Sequence, residues 1–289
     1  MDKNGKVIVE GLNSIAMNLC NMDQACEVPL HYQSGNDEDG ALFAKLTRHK
    51  GIFNLGKNRI SNVVSTRYQL IQHSDVMRAV IETLGRLNLD VEGLIVQDEH
   101  RIRGDLVFKK EGLSVKDGAK GVKIGFRVLN SYDKSWSFRL EMFGYRLICK
   151  SGMALGNTMG IREVTLHVGE KKTYEKICWI VEGFIKDVIE SHNTLQAYVD
   201  SMIADSTEWQ FAEDILTRMF KVKKHREAIL ERLEKKPIIT RWELYNALTN
   251  YISHGNKIKP GVQSWLELCS QRFIRSTFKQ LENPIEVMQ

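Results

Sequence analysis

The sequence predicts an α+β fold, in which an antiparallel β-meander packs with a helix and a helical C-terminal region follows. Between Asp90 and Met153 apolar residues recur with a period of two, and beyond Lys172 they recur with the helical period of about 3.6. The 289 residues are 43% apolar and 27% charged, a balance that can bury a large core. Strands followed by a block of helices, without alternation of the two, favour this class over a doubly wound sheet.

Three parts are expected along the chain. Residues 1–60 read as an irregular or partly helical N-terminal segment, because neither period persists there. Residues 61–172 are expected to hold a helix and the core of a basic antiparallel sheet. Residues 173–289 are expected to form a helical C-terminal region.

Each element has its own local signal. Val63–Leu70 reads as extended, and Ser74 and Asp75 can cap a helix that ends near Asn88. Farther along, Thr240 and Glu243 have the spacing of a capping box. Turns are expected at 116–121 and 130–134, and helices at Tyr174–Ala204, Glu208–Phe220, Thr240–Gly255 and Val262–Leu281.

The composition favours a protein of the cytoplasm, or of the host cell cytoplasm if the protein is viral. No apolar window is long enough to span a bilayer, and Met1–Glu10 lacks the apolar run of a secretory signal. The five cysteines form an odd set without a Cys-x-x-Cys pair, which fits reduced thiols. We therefore expect no membrane partner.

The positive charge is concentrated in one segment. Residues 100–176 contain 16 Lys and Arg against 8 Asp and Glu, whereas the rest of the chain contains 25 against 28. Side chains alternate across a strand, so each predicted strand can be divided into an inward apolar set and an outward set. The outward sets of four segments contain two acidic residues, Asp105 and Glu141, and eight basic ones: Arg101, Arg103, Lys109, Lys123, Arg127, Arg139, Arg146 and Lys150.

Like charges on neighbouring strands repel each other unless a polyanion neutralises them, so this bias indicates a phosphate backbone as partner. Tyr132 and Trp136 flank a predicted turn and Phe143 lies on the basic face, where aromatic rings could stack on bases. The alternative is that the charges form an ordinary solvated face and that the aromatic residues pack in the core or the turn.

Several motifs resemble the phage/plasmid-like protein family of unknown function. They are Ser65-Thr66-Arg67-Tyr68-Gln69, Asn130-Ser131-Tyr132-Asp133-Lys134-Ser135, Tyr145-Arg146-Leu147-Ile148-Cys149-Lys150-Ser151-Gly152-Met153 and the stretch Thr240–Tyr251. The family commonly has Thr-Asn-Gly where this chain has Lys150-Ser151-Gly152. The resemblance implies residence on phages, plasmids or viruses. At the level of the fold, a helix followed by a basic meander is also similar to phage single-strand annealing recombinases, whose subunits form rings or filaments.

The leading hypothesis is a single-stranded DNA-binding protein of a mobile element that promotes annealing and forms homo-oligomers, without a cofactor or metal. Arg101, Arg103, Lys123, Arg127, Arg139, Arg146 and Lys150 would contact phosphates, and Tyr132, Trp136 or Phe143 would stack on bases. One alternative is an oligomeric scaffold or assembly protein of a phage or plasmid system. Another is a metal-dependent nuclease that uses acids such as Asp105 or Glu141.

Overall fold

Antiparallel sheets and helices build the chain, which confirms the predicted α+β class. The computed structural model describes residues 6–37, 40–117, 121–146, 151–154, 162–165, 167–168, 173–254, 266, 269–270 and 276–282. The strands are β1 Lys6–Val9, β2 Ala25–Asp37, β3 Gly40–Asn54, β4 Arg59–Ser65, β5 Val91–Gln97, β6 Arg101–Phe108, β7 Ser114–Val115, β8 Val122–Ser131, β9 Phe138–Arg146, β10 Ser151–Ala154, β11 Arg162–Thr165, β12 Ser206–Glu208 and β13 Ile238–Thr240. The helices are α1 Leu12–Ala16, α2 His73–Arg86, α3 Tyr174–Glu190, α4 His192–Ala204, α5 Trp209–Met219, α6 Lys223–Leu230, α7 Arg241–His254 and α8 Phe278–Glu282.

Within these described ranges, the largest sheet has the strand order β1-β5-β6-β8-β9-β10, with β11 paired to β9 and β7 paired to β8. The chain divides into two compact units, which are described separately. Unit 1 comprises Met1–Lys110, Phe126–Glu141 and Arg162–Lys186, and unit 2 comprises Glu111–Gly125, Met142–Ile161 and Asp187–Gln289. Each unit draws on three stretches of chain, so the units do not follow the expected division at residues 60 and 172. Antiparallel pairing of strands that are far apart along the chain contributes to this interleaving, since β11 pairs with β9 and so joins Arg162–Thr165 to residues 138–141.

The core of unit 1 is formed by the inward face of the large sheet and by α2 and α3. The predicted alternation holds in β6, where Ile102 and Leu106 are fully buried. The Phe126 ring of β8 contacts Phe108 at 5.8 Å between ring centroids and meets Phe184 of α3 edge-on at 6.3 Å. Helix α3 therefore covers the inward face, and the opposite face of the sheet in unit 1 is called the outer face below.

The expectation of an irregular or partly helical N-terminal segment is wrong for most of its length. Strands β2, β3 and β4 form a separate antiparallel sheet, and β1 joins the large sheet through β5. The register of β2 against β3 shifts between Pro29 and His31 and again between Gln33 and Gly35. Such bulges interrupt the two-residue alternation on which strand prediction depends. Pro29 is tolerated because β2 is an edge strand.

In unit 2, the predicted capping box is confirmed. The Thr240 backbone N–H donates to Glu243 Oε2 at 2.9 Å, and the Glu243 N–H donates to Thr240 Oγ1 at 3.2 Å. Beside it, Arg241 is buried and its Nε donates to Asp205 Oδ2 at 2.8 Å, an acceptor that also binds the Phe278 N–H. These bonds fix the start of α7.

Two other predicted helices have different outcomes. The single helix expected at Tyr174–Ala204 is divided at Ser191, whose hydroxyl donates to the Val188 carbonyl and competes with the helical ladder. The helix expected at Val262–Leu281 falls largely outside the described residues. No helix in the described part of the chain has the length and apolar content needed to cross a bilayer.

Candidate nucleic-acid interface

On the outer face of unit 1, the pairing of β1, β5 and β6 places charged and apolar side chains next to one another. One row runs from Lys6 through Val96 to Arg103, and the next runs from Ile8 through Leu94 to Asp105, because these residues are direct cross-strand partners. Arg101, Arg103 and Asp105 therefore stand outward in β6, as the alternation predicts.

Asp105 lies between two arginines. Arg127 Nε donates to Asp105 Oδ1 at 2.6 Å, and Arg103 Nη2 donates to Asp105 Oδ2 at 2.6 Å. Burial alone would raise the pKa of the Asp105 carboxyl, but the charges of Arg127 and Arg103 outweigh it and hold the pKa below its usual range. One carboxylate thus faces two guanidinium groups, which leaves a net positive charge at this point.

Arg101 is held above an aromatic ring. Its Nε donates to Ser135 Oγ at 2.7 Å, its Nη2 lies 3.4 Å from Asp133 Oδ2, and its guanidinium carbon is 5.4 Å from the centroid of Trp136. A surface depression of about 370 Å³ opens here, with half-buried Trp136 in its wall. The depression is lined by Lys6, Leu94, Val96, Asp98, Arg101, Arg103, Asp105 and Trp136.

The structure brings four of the predicted cations to the outer face, but each of them is also paired with a carboxylate. Arg139 Nη1 lies 3.3 Å from Glu141 Oε1 on the same strand. Three carboxylates, those of Asp105, Asp133 and Glu141, are thus paired with four arginines: Arg101, Arg103, Arg127 and Arg139. The positive surplus of the outer face is therefore smaller than the sequence count indicates. Arg127 is the most enclosed, with 13% of its side chain exposed, whereas Arg103 keeps 45% exposed.

Tyr132 must be removed from the expected stacking residues. It is fully buried, because it directly follows β8 and continues the inward alternation of Phe126 and Val128. Its ring stacks on His73 at 3.8 Å between centroids. It cannot meet a base while this packing persists.

The remaining predicted site residues belong to unit 2 or lie outside the described part. Lys123 is half-buried in β8, opposite Ser114 in the pairing with β7. Phe143 and Arg146 pair through the backbone of β9 with Ala154 and Ser151. The side chains of Phe143 and Arg146, and all of Lys150, lie outside the described residues.

A buried polar network around Tyr132 was not expected from the sequence. The Tyr132 hydroxyl donates to the Asp23 carbonyl at 2.8 Å and accepts the His73 N–H at 3.0 Å. Asn130 Nδ2 donates to the Ile71 carbonyl at 2.9 Å and lies 3.0 Å from His73 Nδ1. Because an amide nitrogen can only donate, His73 Nδ1 accepts and its proton is on Nε2.

Gln72 connects this network to the three-stranded sheet of β2, β3 and β4. Its Oε1 accepts the Ala25 N–H at 3.1 Å, and its Nε2 donates to the Ala25 carbonyl at 2.6 Å. The two motifs Ser65–Gln69 and Asn130–Ser135 also meet, since the Tyr68 hydroxyl donates to the Ser131 carbonyl at 3.2 Å. These motif residues therefore join β2–β4 to the core of unit 1.

The buried His73 predicts a dependence of stability on pH. Burial, together with the nearby His167, lowers the pKa of His73 to about 3 against the opposing influence of the His100 carbonyl and Asp133. The unfolded chain protonates this ring near its ordinary pKa of 6.5. The contribution of His73 is therefore complete above that pH and is lost as the pH falls toward 3. Between about pH 6 and pH 4.5 the free energy of unfolding should fall by roughly 1.4 kcal/mol per pH unit.

Urea unfolding at a series of pH values measures this fall. A variant of the exposed His49, His49→Asn, should reproduce the wild-type dependence, whereas His73→Gln should be less stable and should fall less steeply. A wild-type stability that stays constant across this interval would contradict the buried neutral imidazole.

Asp105 and Glu141, the acids expected for a nuclease, and the neighbouring acids Asp98 and Glu99 already have partners. Glu99 pairs with Arg59, Asp98 Oδ1 accepts the backbone N–H of His100 and Arg101, and Asp105 and Glu141 bind the arginines above. Among the residues that the structure describes, no group of three or more His, Cys, Asp or Glu is placed to hold a metal ion. The geometry gives the nuclease hypothesis no specific support.

Comparison with known proteins gives one finding. A family model described as a domain of unknown function (DUF932) matches residues 61–271. No curated protein and no solved structure matches the chain.

Proposed function

The chain belongs to the DUF932 family, and we propose that it binds single-stranded nucleic acid, with DNA as the expected substrate, on the outer face of unit 1. The observation that carries this proposal is the depression in which Arg101 lies over Trp136 and Arg103 stands at the rim. A half-buried indole with neighbouring guanidinium groups fits the two demands of a single strand, a surface for a base and cations for its phosphates.

The ion pairs do not prevent contact with phosphates. A guanidinium carries five N–H donors, and Arg103 uses Nε and Nη2 on Asp105. Its Nη1 has no partner among the described residues. Arg101 likewise directs Nε and Nη2 to Ser135 and Asp133. Both side chains can therefore add a phosphate oxygen without first breaking these bonds, and the carboxylates hold the guanidinium groups in position.

The biological setting is proposed from the resemblance. The motifs around Tyr68, Tyr132 and Arg146 are similar to phage/plasmid-like proteins, and the basic meander is similar to phage annealing recombinases. A protein that coats single strands and promotes their annealing within a mobile element would combine these features. The outward cations of β6 and β8 would contact the backbone and leave base edges free to pair.

Arginine removal at the rim tests the proposal. Arg103→Gln should weaken binding of a labelled single-stranded oligonucleotide several-fold at low salt and make the dependence on log salt shallower by about 0.7, because one phosphate contact is lost. Fluorescence anisotropy at several salt concentrations measures both quantities. The matched control is Arg78→Gln on α2, an equally exposed arginine that lies outside the outer face and should bind as wild type.

If Arg103→Gln and Arg78→Gln weaken binding equally, the charge of the whole chain rather than the outer face is responsible. Parallel titrations with duplex DNA and with RNA of the same sequence test the expected preference. Equal affinity for duplex and single strand would argue against a role for Trp136 as a base platform.

A further inference from the structure

Asp98 places a negative charge in a depression that otherwise suits phosphates. It lines the depression together with Arg101 and Arg103. The other carboxylate there, Asp105, is bound on both oxygens by Arg103 and Arg127, whereas no lysine or arginine in the described part of the chain pairs with Asp98. A carboxylate without a cation repels a phosphate. A surface that bound only the backbone of a strand would therefore be better without this side chain.

The carboxyl group of Asp98 is held in a defined orientation at the turn between β5 and β6. The Asp98 N–H donates to the Arg101 carbonyl at 3.0 Å, and Asp98 Oδ1 accepts the N–H of His100 and of Arg101 at 2.8 Å each. An asparagine could make the same turn bonds without a charge. The turn accounts for Oδ1 but not for the charge, and Oδ2 is the oxygen that remains for a ligand.

The other walls of the depression fit a nucleobase. Leu94 and Val96 provide apolar contact, and Trp136 provides an aromatic ring. The guanidinium group of Arg101 provides N–H donors beside this ring. A ligand that uses all of these walls needs a flat ring, donors for the Asp98 carboxylate and acceptors for an arginine.

Guanine meets each of these demands. Its N1–H and its N2 amino group are adjacent donors on one edge, and its O6 and N7 are acceptors that arginine binds. Cytosine and adenine each present a single amino group, and the N3–H of thymine lies between two carbonyl oxygens that a carboxylate repels. Guanine is therefore the base that best matches a carboxylate opposite a guanidinium group.

We propose that the depression takes a guanine base of the bound single strand and that Asp98 is the residue that selects it. This inference rests on the proposed function, because the strand itself is held by the arginines of the outer face. Only the base that enters the depression is held in this way. The bases on either side of it keep their edges free to pair.

Strands that differ in a single base test the inference. An oligonucleotide of abasic nucleotides with one base at its centre has the same backbone charge whichever base it carries, so the ratio of two affinities reports base recognition alone. In fluorescence anisotropy at low salt, wild type should bind the guanine strand about tenfold more tightly than the thymine strand. It should also bind guanine several-fold more tightly than hypoxanthine, which differs only in lacking the N2 amino group.

Asp98→Asn is the matched variant, because it keeps an oxygen for the turn and replaces Oδ2 with an amide nitrogen that only donates. Its preference for guanine over thymine and hypoxanthine should disappear, while all three strands bind more tightly because a negative charge is lost. This retained binding shows that the variant is folded. The control Asp75→Asn removes the same charge from α2 and should keep the wild-type ratios.

Equal wild-type affinity for the three strands, or a guanine preference that survives in Asp98→Asn, would overturn the inference. The proposed function survives either result if Arg103→Gln still weakens binding of a single strand. It fails, and the inference fails with it, if wild type binds no single strand at all.

Discussion

Replacing Asp105 with asparagine is expected to tighten the binding of single-stranded DNA about fivefold at low salt and to lower the free energy of unfolding by roughly 1–3 kcal/mol. Binding improves because a negative charge is removed from the phosphate path. Stability falls because Arg127, which is largely enclosed, loses its charged partner. Anisotropy titration and urea unfolding of the same preparation measure the two effects.

Because the affinity of Asp105→Asn should rise while its stability falls, this variant separates a role in binding from a role in folding. If Asp105 only maintained the sheet, Asp105→Asn would lose stability and would bind oligonucleotides no better than wild type. Asp75→Asn in the first turn of α2 removes the same charge from another part of unit 1 and serves as the control. Comparable tightening in Asp75→Asn would indicate a general effect of net charge.

Removing the Tyr132 hydroxyl should have the largest effect on stability that involves no change in charge. Tyr132→Phe preserves the stacking on His73 but leaves the Asp23 carbonyl and the His73 N–H without their bonds. A buried N–H and a part-buried carbonyl without partners should lower the free energy of unfolding by roughly 2–4 kcal/mol. Urea unfolding measures the loss.

Oligonucleotide affinity of folded Tyr132→Phe should equal that of wild type, because the ring lies in the core and not on the outer face. Tyr198→Phe on α4, where the tyrosine is half-buried, should cost far less stability. A reduced affinity with unchanged stability in Tyr132→Phe would place the Tyr132 hydroxyl at the nucleic-acid interface, which its burial argues against.

The sequence could predict the central strands because their alternation is regular. Ile102, Phe126 and Leu140 occupy inward positions of β6, β8 and β9, and all three are buried. The same alternation, continued past Val128, places Asn130 and Tyr132 inward as well. A polar side chain in an inward position is the signal that would have revealed the buried network. The N-terminal strands could not be found in this way, because bulges shift their alternation.

The sequence allowed only some of the ion pairs of the outer face to be predicted. Arg103 and Asp105 are two residues apart on one strand, so their proximity follows from the pleat. The contact of Arg127 with Asp105 depends on which residues of β6 and β8 lie side by side, and hydrophobic patterns do not determine that register uniquely. Counting outward charges strand by strand therefore exaggerated the positive surplus.

The dependence of single-strand affinity on salt tests the central claim most directly. If three to five phosphates meet the arginines of the outer face, the logarithm of the association constant should fall against the logarithm of salt concentration with a slope of roughly −2 to −3.5. Arg103→Gln should reduce the steepness, and Arg78→Gln should not. A slope near zero, or no binding even at low salt, would contradict a nucleic-acid interface on this face.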